Sequence, residues 1–393
     1  MHVAFALLTL FPGRVGGAES NVHGVLGQFA DGNGPERVTV LANRHVAEKY
    51  GGYVRNGVDL HLVRSYRSGD GDLTRLLAMA AAGAAPWLAA RDIPGDFDVL
   101  HHPVTVPIPR LRGVPTVTTV FDLQHHELPQ FFSRGERAYR RWAYDGAARR
   151  ADLVLTISEY SRRKLIELAG IPAERVEAIH LGIDHERFNP VPTAADDALR
   201  ERLALPDRYV VYPANLWPHK NHDRLVDALA KAPADLQLVL TGQDYGKLGE
   251  LERRASSAGV GGRVRHLGYL EAEDVPALYR SATAMVFPSL YEGFGSPPLE
   301  AMACGCPVAC STRGSLAEVV GDAALTFDPE SVEEIAAAIE RIVTDDTLRS
   351  DLRDRGPAHA AKFTWESAAR RHVELYERTA ALRPRAVGRS RSS

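Results

Sequence analysis

Residues 284–309 read AMVFPSLYEGFGSPPLEAMACGCPVA, and this passage holds a strand, a loop, a helix and the next strand. Ala284–Phe287 is a short aliphatic run of the kind that is buried on both faces of a parallel sheet. Pro297 and Pro298 follow the loop, and proline is favourable in a first helical turn because its missing N–H would be unpaired there. The helix is predicted over Pro298–Cys304, and Pro307–Ala309 is the next buried run. The same alternation extends outward in both directions. His2–Thr9, Val38–Ala42, Val99–His101, Thr116–Val120 and Leu153–Ile157 read as strands of a first series. Tyr209–Pro213, Leu236–Thr241, Val264–Leu267, Ala284–Phe287 and Pro307–Ala309 form a second. Helical patterns lie between them at Glu19–Phe29, Arg137–Arg149, Tyr160–Ala169, Asp223–Lys231, Asp274–Ser281 and Val332–Thr344. Strands alternating with helices predict α/β architecture, and two such series predict two doubly wound, Rossmann-like domains facing a cleft.

The chain has 393 residues with 47 Lys+Arg against 50 Asp+Glu, a formal net charge of −3. Near-neutral balance argues against a dedicated nucleic-acid binder. Three cysteines make no disulfide framework and suit a reducing cytoplasm. No run reaches the ~18 apolar residues of a membrane helix, and MHVAFALLTLFPGR reads as a first strand, not a signal peptide. Periodicity fails near Asp184–Asp196, which holds Pro190 and Pro192. This places an N-terminal domain over 1–188 and a C-terminal one over 189–363. Thr364 can cap a helix whose Trp365, Ala369, Val373 and Tyr376 share a face, and the arginine-rich 383–393 is expected to be disordered.

In open α/β sheets, ligands bind outside the carboxyl ends of the strands, so the loops there are the candidate site. Gly293 and Gly295 let backbone approach a ligand, and the following helix amino end favours anions. Glu292 and Glu300 are acceptors suited to sugar or ribose hydroxyls. Lys220, in WPHKN after a predicted strand, is a compact cation beside a helix start, a phosphate seat. Gly16 and Gly17 stand between the first strand and helix, where backbone N–H groups can meet a phosphate or a sugar. Their spacing is not GxGxxG, which counts against a dinucleotide dehydrogenase.

These motifs resemble retaining glycosyltransferases of family 4, in the branch with PHKN wording. Two glutamates spaced E-x7-E around GFG, then PLEAMACGCPV, carry the resemblance. GRVGGAE, LTISEYSRRKL, HLGIDHERFNP, PHKNHDRLVDAL, VRHLGYLEAEDVPALYRSA, GSLAEVVGDAALTFDP and FTWESAARRH stand in the family's order. The resemblance implies the GT-B fold and transfer of a sugar from a nucleotide-diphosphate sugar to a hydroxyl of a glycan, glycolipid or small glycoside, without metal or cofactor. It implies that Glu300 holds ribose hydroxyls, and that Glu292, Gly293, Phe294 and Gly295 hold the donor sugar. Lys220 would neutralise the diphosphate, helped by His219, and the last helix would cross back to the first domain. Where many members carry an arginine before that lysine, this chain has Asn215. Where they carry a histidine, it has Phe121, and His125, or else His126, is expected to reach the ligand instead.

The remaining features carry less. Cys304, Cys306 and Cys310 lack the second pair of a zinc site and read as small buried residues, so no metal is assigned. Asp70-Gly71-Asp72 reads as a turn. Residues 134–150 hold six arginines with Tyr139, Trp142 and Tyr144. A weak peripheral contact with the inner membrane surface is one reading, and a solvated helix with its aromatics packed inward is the favoured one. The rival functions are a sugar-nucleotide epimerase of the same fold and a non-catalytic nucleotide- or glycan-binding protein.

Overall fold

The computed structural model describes residues 1–13, 16–66, 74, 78, 79 and 90–382. Asp70-Gly71-Asp72, most of Met79–Ala90 and the tail 383–393 lie outside the described residues. The chain divides into two compact units. Unit 1 holds Met1–Ile157, Ser161–Gly182 and the residues from Trp365 on; unit 2 holds Ser158–Tyr160 and Ile183–Thr364.

Unit 1 contains a seven-stranded sheet, and its register pairs are all parallel. Its strands are β1 (His2–Ala6), β2 (Arg37–Ala42), β3 (Val58–Leu62), β4 (Val99–His102), β5 (Thr116–Val120), β6 (Leu153–Thr156) and β7 (Val176–Ala178). They lie in the order β3-β2-β1-β4-β5-β6-β7. Val3 pairs with Val38 on one side and Val99 on the other, which seats β1 inside the sheet, next to the central strand β4. The central strands are buried on both faces because helices cover the sheet, and that is why they read as unbroken aliphatic runs. The edge strands β3 and β7 carry charged residues such as Asp59 and Glu177, so the apolar pattern did not reveal them.

The helix Gly17–Ala30 sends Val22, Val25, Leu26 and Phe29 into the same core as Val3 and Phe5. The helix Trp365–Ala380 completes that core with Ala368, Ala369, Leu375 and Tyr376. The Tyr376 hydroxyl and His101 Nδ1 are 2.7 Å apart, so the last helix is bonded to a central strand. Gly24 makes room for the Trp365 indole, since a Cβ there would stand 2.2 Å from a ring carbon. His372 Nδ1 donates to the Ala368 carbonyl at 2.8 Å. Burial lowers the pKa of His372 to about 4, so the ring is neutral at physiological pH.

The stretch expected as one helix, Arg137–Arg149, is three pieces. Arg134–Arg140 is α-helical and opens on a Ser133–Glu136 capping box; Arg141–Asp145 is a π turn; Gly146–Arg150 is α-helical again. The expected inward packing of its aromatics fails at two positions. Trp142 is 66% exposed and Tyr139 43% exposed, and only Tyr144 is half-buried. The extra residue of the π turn rotates Gly146–Arg150 relative to Arg134–Arg140, so one apolar face cannot run the whole length.

Unit 2 repeats the winding with a six-stranded parallel sheet in the order β10-β9-β8-β11-β12-β13. The strands are β8 (Tyr209–Pro213), β9 (Gln237–Thr241), β10 (Val264–His266), β11 (Ala284–Phe287), β12 (Val308–Ser311) and β13 (Leu325–Phe327). The break between units falls before Ile183, upstream of the expected 188/189 boundary. Ile183 bridges to Thr364, and Phe188 stacks on Tyr279 with ring centroids 6.2 Å apart. The expected linker also contains the start of a helix, Ala194–Arg202. Asp196 accepts from the Thr193 hydroxyl at 3.1 Å and from Arg280 at 2.6 and 2.8 Å. Among the described residues, no helix is long and apolar enough to cross a membrane.

Candidate functional site

In unit 2 the strand order reverses between β8 and β11, and this switch point is where an open α/β sheet leaves room for a ligand. The loop after β8 carries Asn215 and Lys220; the loop after β11 carries Glu292 to Gly295. The two loops are laced together. Leu290 N donates to the His219 carbonyl at 2.8 Å, and the Tyr212 hydroxyl donates to the Lys220 carbonyl at 2.8 Å. Tyr212 also meets the Ser289 hydroxyl at 3.0 Å. Lys220 and Glu292 thereby come together: Nζ donates to Oε1 at 2.6 Å, with the lysine ammonium 5.8 Å from the Phe287 ring centroid. A hydrogen-bonded ion pair this short is charge-assisted.

Glu292 is held from behind. Its carbonyl accepts from the Ser315 backbone at 3.2 Å and the Ser315 hydroxyl at 3.0 Å. That hydroxyl also lies 2.8 Å from the Phe294 carbonyl. Gly314, at φ +67°, passes so close that a Cβ would stand 2.6 Å from the Glu292 carbonyl oxygen. Gly295, at φ +103°, turns the chain into the helix Ser296–Ala303, a conformation that side-chain-bearing residues rarely adopt.

Glu300 occupies the second turn of that helix, since the helix starts at Ser296 and not at the expected Pro298. Burial raises its carboxyl pKa to about 7, against the opposing pull of the Arg187 guanidinium and a hydrogen bond with Tyr279. Thus Glu300 is poised between its two protonation states near neutrality.

Asn215, expected to face the donor, has a partner within the protein, and the expected help from His219 changes. Asn215 Oδ1 accepts from Gln243 N at 2.8 Å, and Leu216 N donates to the Gln243 carbonyl at 2.9 Å. Its side-chain oxygen therefore ties the loop after β8 to the loop after β9. His219 is buried, and burial followed by the Lys220 charge lowers its pKa to about 4, so it adds no positive charge at neutral pH. The same two loops carry an exposed stacked pair that the sequence reading missed. Trp217 and Tyr245 have ring centroids 5.7 Å apart and planes 25° apart.

In unit 1, Gly16 and Gly17 stand at the start of the helix Gly17–Ala30, and open space lies where a Cβ would point from either. Glu19 organises this entry: it accepts from Gly13 N at 2.6 Å and from Lys49 Nζ at 2.7 Å. In the sequence Glu19 carries no distinguishing mark, since an acid in a first helical turn is common. Beside it, Phe11, Pro12, His45, Glu48 and Lys49 line a depression of about 360 Å³.

His125 departs most from expectation. Its side chain is fully buried, and its Nε2 lies 3.2 Å from Asp145 Oδ1, so it presents no surface to a ligand hydroxyl. His126 keeps part of its surface, and its Nε2 lies 2.9 Å from Asp145 Oδ2. Burial pushes the Asp145 carboxyl up, but bonds from both imidazoles outweigh this and its pKa is lowered. All three cysteines are buried; burial pushes the Cys304 and Cys310 thiols up to about 12, which leaves them inert.

Sequence comparison matches residues 15–187 to the model of Glycosyltransferase Family 4 and residues 196–359 to that of Glycosyl transferases group 1. The Escherichia coli O-antigen chain mannosyltransferase B is 33% identical over 287 residues, covering 71% of this chain and 74% of the relative. The MMP alpha-(1->4)-mannosyltransferase of Mycolicibacterium hassiacum is 29% identical over 345 residues, covering 79% of each. Among solved structures, Anabaena Alr3699/HepE in complex with UDP and glucose superposes with a TM-score of 0.72 at 22% identity, covering 96% of this chain and 100% of that one. The sucrose-phosphate synthase of Thermosynechococcus elongatus gives 0.74 at 21% identity, covering 97% and 99%. These structural likenesses establish the two-domain GT-B fold.

Proposed function

Because the chain belongs to glycosyltransferase family 4, we propose that it moves a hexosyl group from a nucleotide-diphosphate sugar to a hydroxyl acceptor, with retention of anomeric configuration. The observation that carries this reading is the Lys220–Glu292 pair at the switch point of the unit 2 sheet, 2.6 Å apart and 72 positions apart in sequence. When a diphosphate enters, the ammonium is drawn to the phosphate oxygens. Glu292 is then released to accept hydroxyls of the sugar beside Gly293, Phe294 and Gly295. Leaving-group charge is met by Lys220 and the amino end of the helix Ser296–Ala303, so no metal ion is needed at the diphosphate. Glu300, one turn further in, takes the ribose hydroxyls in its ionised form. Gly16 and Gly17 offer backbone N–H groups to the transferred sugar or phosphate. The leaving phosphate helps remove the acceptor proton on the same face.

Two relatives are named mannosyltransferases, so mannose is the first sugar to try. The exposed Trp142 and Tyr139, set among arginines, suit weak contact with an anionic membrane that carries a lipid-linked acceptor. The test is a panel of nucleotide-diphosphate sugars incubated with a glycan acceptor, with the product anomer read by NMR. An α-product from an α-linked donor supports the proposal. Inversion refutes retention, and donor epimerised without any acceptor points to an epimerase.

A further inference from the structure

The helix Gln124–Glu127 and the π turn Arg141–Asp145 bring two imidazoles and one carboxylate to a point. One ring nitrogen each from His125 and His126 and a carboxylate oxygen of Asp145 lie within 4.8 Å of one another, the one such grouping among the described residues. His125 Nε2 lies 3.2 Å from Asp145 Oδ1 and His126 Nε2 2.9 Å from Asp145 Oδ2, so each ring faces its own carboxylate oxygen. Those distances suit hydrogen bonds. They also suit a shared ion, because ligands held at about 2.0–2.1 Å around a tetrahedral zinc sit roughly 3.3 Å apart. The backbone supports the cluster. Asp145 ends a π turn, a local departure from α geometry that is frequent at functional sites, and the turn delivers its carboxylate 2% exposed between the two rings. The Tyr144 ring closes one side, edge-on to His125 at 6.1 Å. His126, 14% exposed at its side chain, keeps the cluster in contact with solvent on that side.

We propose that His125, His126 and Asp145 form a binding site for a transition-metal dication, zinc by its ligand set. Two imidazoles with a carboxylate disfavour magnesium and calcium, which take all-oxygen shells. Each ring coordinates through Nε2 as the neutral tautomer, so its proton resides on Nδ1. The Asp145 oxygens exchange two N–H donors for the ion. His125 Nδ1 has no hydrogen-bond partner, so this ligand lacks the outer support that tight sites have. Such support is worth about 10–100-fold in affinity, which sets this site below fully braced zinc centres. The ion fastens the segment between β5 and β6 to itself and takes no part in the transfer chemistry at Lys220 and Glu292.

The test uses the full chain, freed of metal by a chelator, with cobalt(II) as the visible probe. The expected result is one equivalent of cobalt bound, with a visible ligand-field band of the intensity that low-symmetry four-coordination gives. Zinc should displace it and raise the melting temperature. Asp145→Asn and His126→Ala should each abolish the band and the thermal shift. His126 is partly exposed, so its replacement folds even if the Asp145 variant does not; circular dichroism confirms folding. No saturable band in the wild type, or a band of equal strength in folded His126→Ala, overturns the site.

Discussion

Glu300 makes the most direct link between the geometry and a measurement. With its pKa raised to about 7 by burial, only the ionised fraction can accept two ribose hydroxyls. That fraction falls from about nine-tenths at pH 8 to about one-tenth at pH 6, and the apparent dissociation constant scales inversely with it. Binding of a nucleoside diphosphate should therefore weaken about tenfold between pH 8 and pH 6 through this residue alone. Diphosphates titrate in the same range, so the comparison must be with Glu300→Gln, which keeps the volume and does not titrate. Calorimetric titrations of both proteins across pH 6–8.5 give the ratio of their affinities. The ratio should favour the wild type at pH 8 and shrink toward pH 6. The stability sign runs the other way. A carboxyl whose folded pKa is raised contributes stability that is full below its unfolded value and is lost as pH rises through about 7. Glu300→Gln should consequently melt higher than wild type at pH 8, with the gap closing at pH 5. An affinity ratio that stays flat with pH would refute the assignment of Glu300 to the ribose.

Other contacts give three further outcomes. Lys220→Met removes a charge-assisted bond worth about 1.5–3 kcal/mol, so kcat/KM should fall roughly ten- to hundredfold in a protein of unchanged secondary structure; unaltered kinetics would remove the lysine from the site. Gly24→Val drives a side chain into the Trp365 indole and should destabilise by about 1–3 kcal/mol in urea unfolding; Trp365→Leu in the same chain should recover part of that loss, and simple additivity would contradict the packing. His372 has its pKa lowered to about 4 by burial, so the stability it contributes while neutral is full above pH 6.5 and is lost as pH falls through that window. Between pH 7.5 and pH 5 the wild type should lose about 2 kcal/mol more than His372→Phe in paired urea titrations, and equal losses would count against a buried neutral ring.

The sequence revealed most where one physical requirement acted alone. Central parallel strands must be apolar on both faces, so Thr116–Val120, Tyr209–Pro213 and Ala284–Phe287 were read with the bounds that the structure has. Edge strands face protein on one side only, and β3, with Asp59 and His61, carried too mixed a pattern to be read. The helix Ala194–Arg202 was lost in an apparent linker because it is stabilised by Asp196 and Arg280, a pairing 84 positions apart that periodicity cannot register. In the site, Lys220 and the Tyr291–Gly295 loop could be picked out because glycine, proline and charge are concentrated there. That Lys220 bonds Glu292 was not legible, for it depends on the order of strands in the sheet. His125 misled for a related reason. A histidine in a loop reads as available, and only the π turn, which brings Asp145 beneath it, shows it to be enclosed.

The discontinuity of unit 1 bears on how the chain is made. Its sheet is complete in sequence by Ala178, yet its core lacks Ala368, Ala369, Leu375 and Tyr376 until the last helix exists. A ribosome adding about 5–20 residues each second needs on the order of ten to forty seconds to cover that gap. Throughout it, the apolar stripe Val22, Val25 and Phe29 has the sheet beneath it but lacks the part of its cover that the last helix supplies, while unit 2, contiguous from Ile183 to Thr364 apart from Ser158–Tyr160, can close as it emerges. The half of the protein written first is thus the half finished last, and during synthesis it is the natural client for a chaperone.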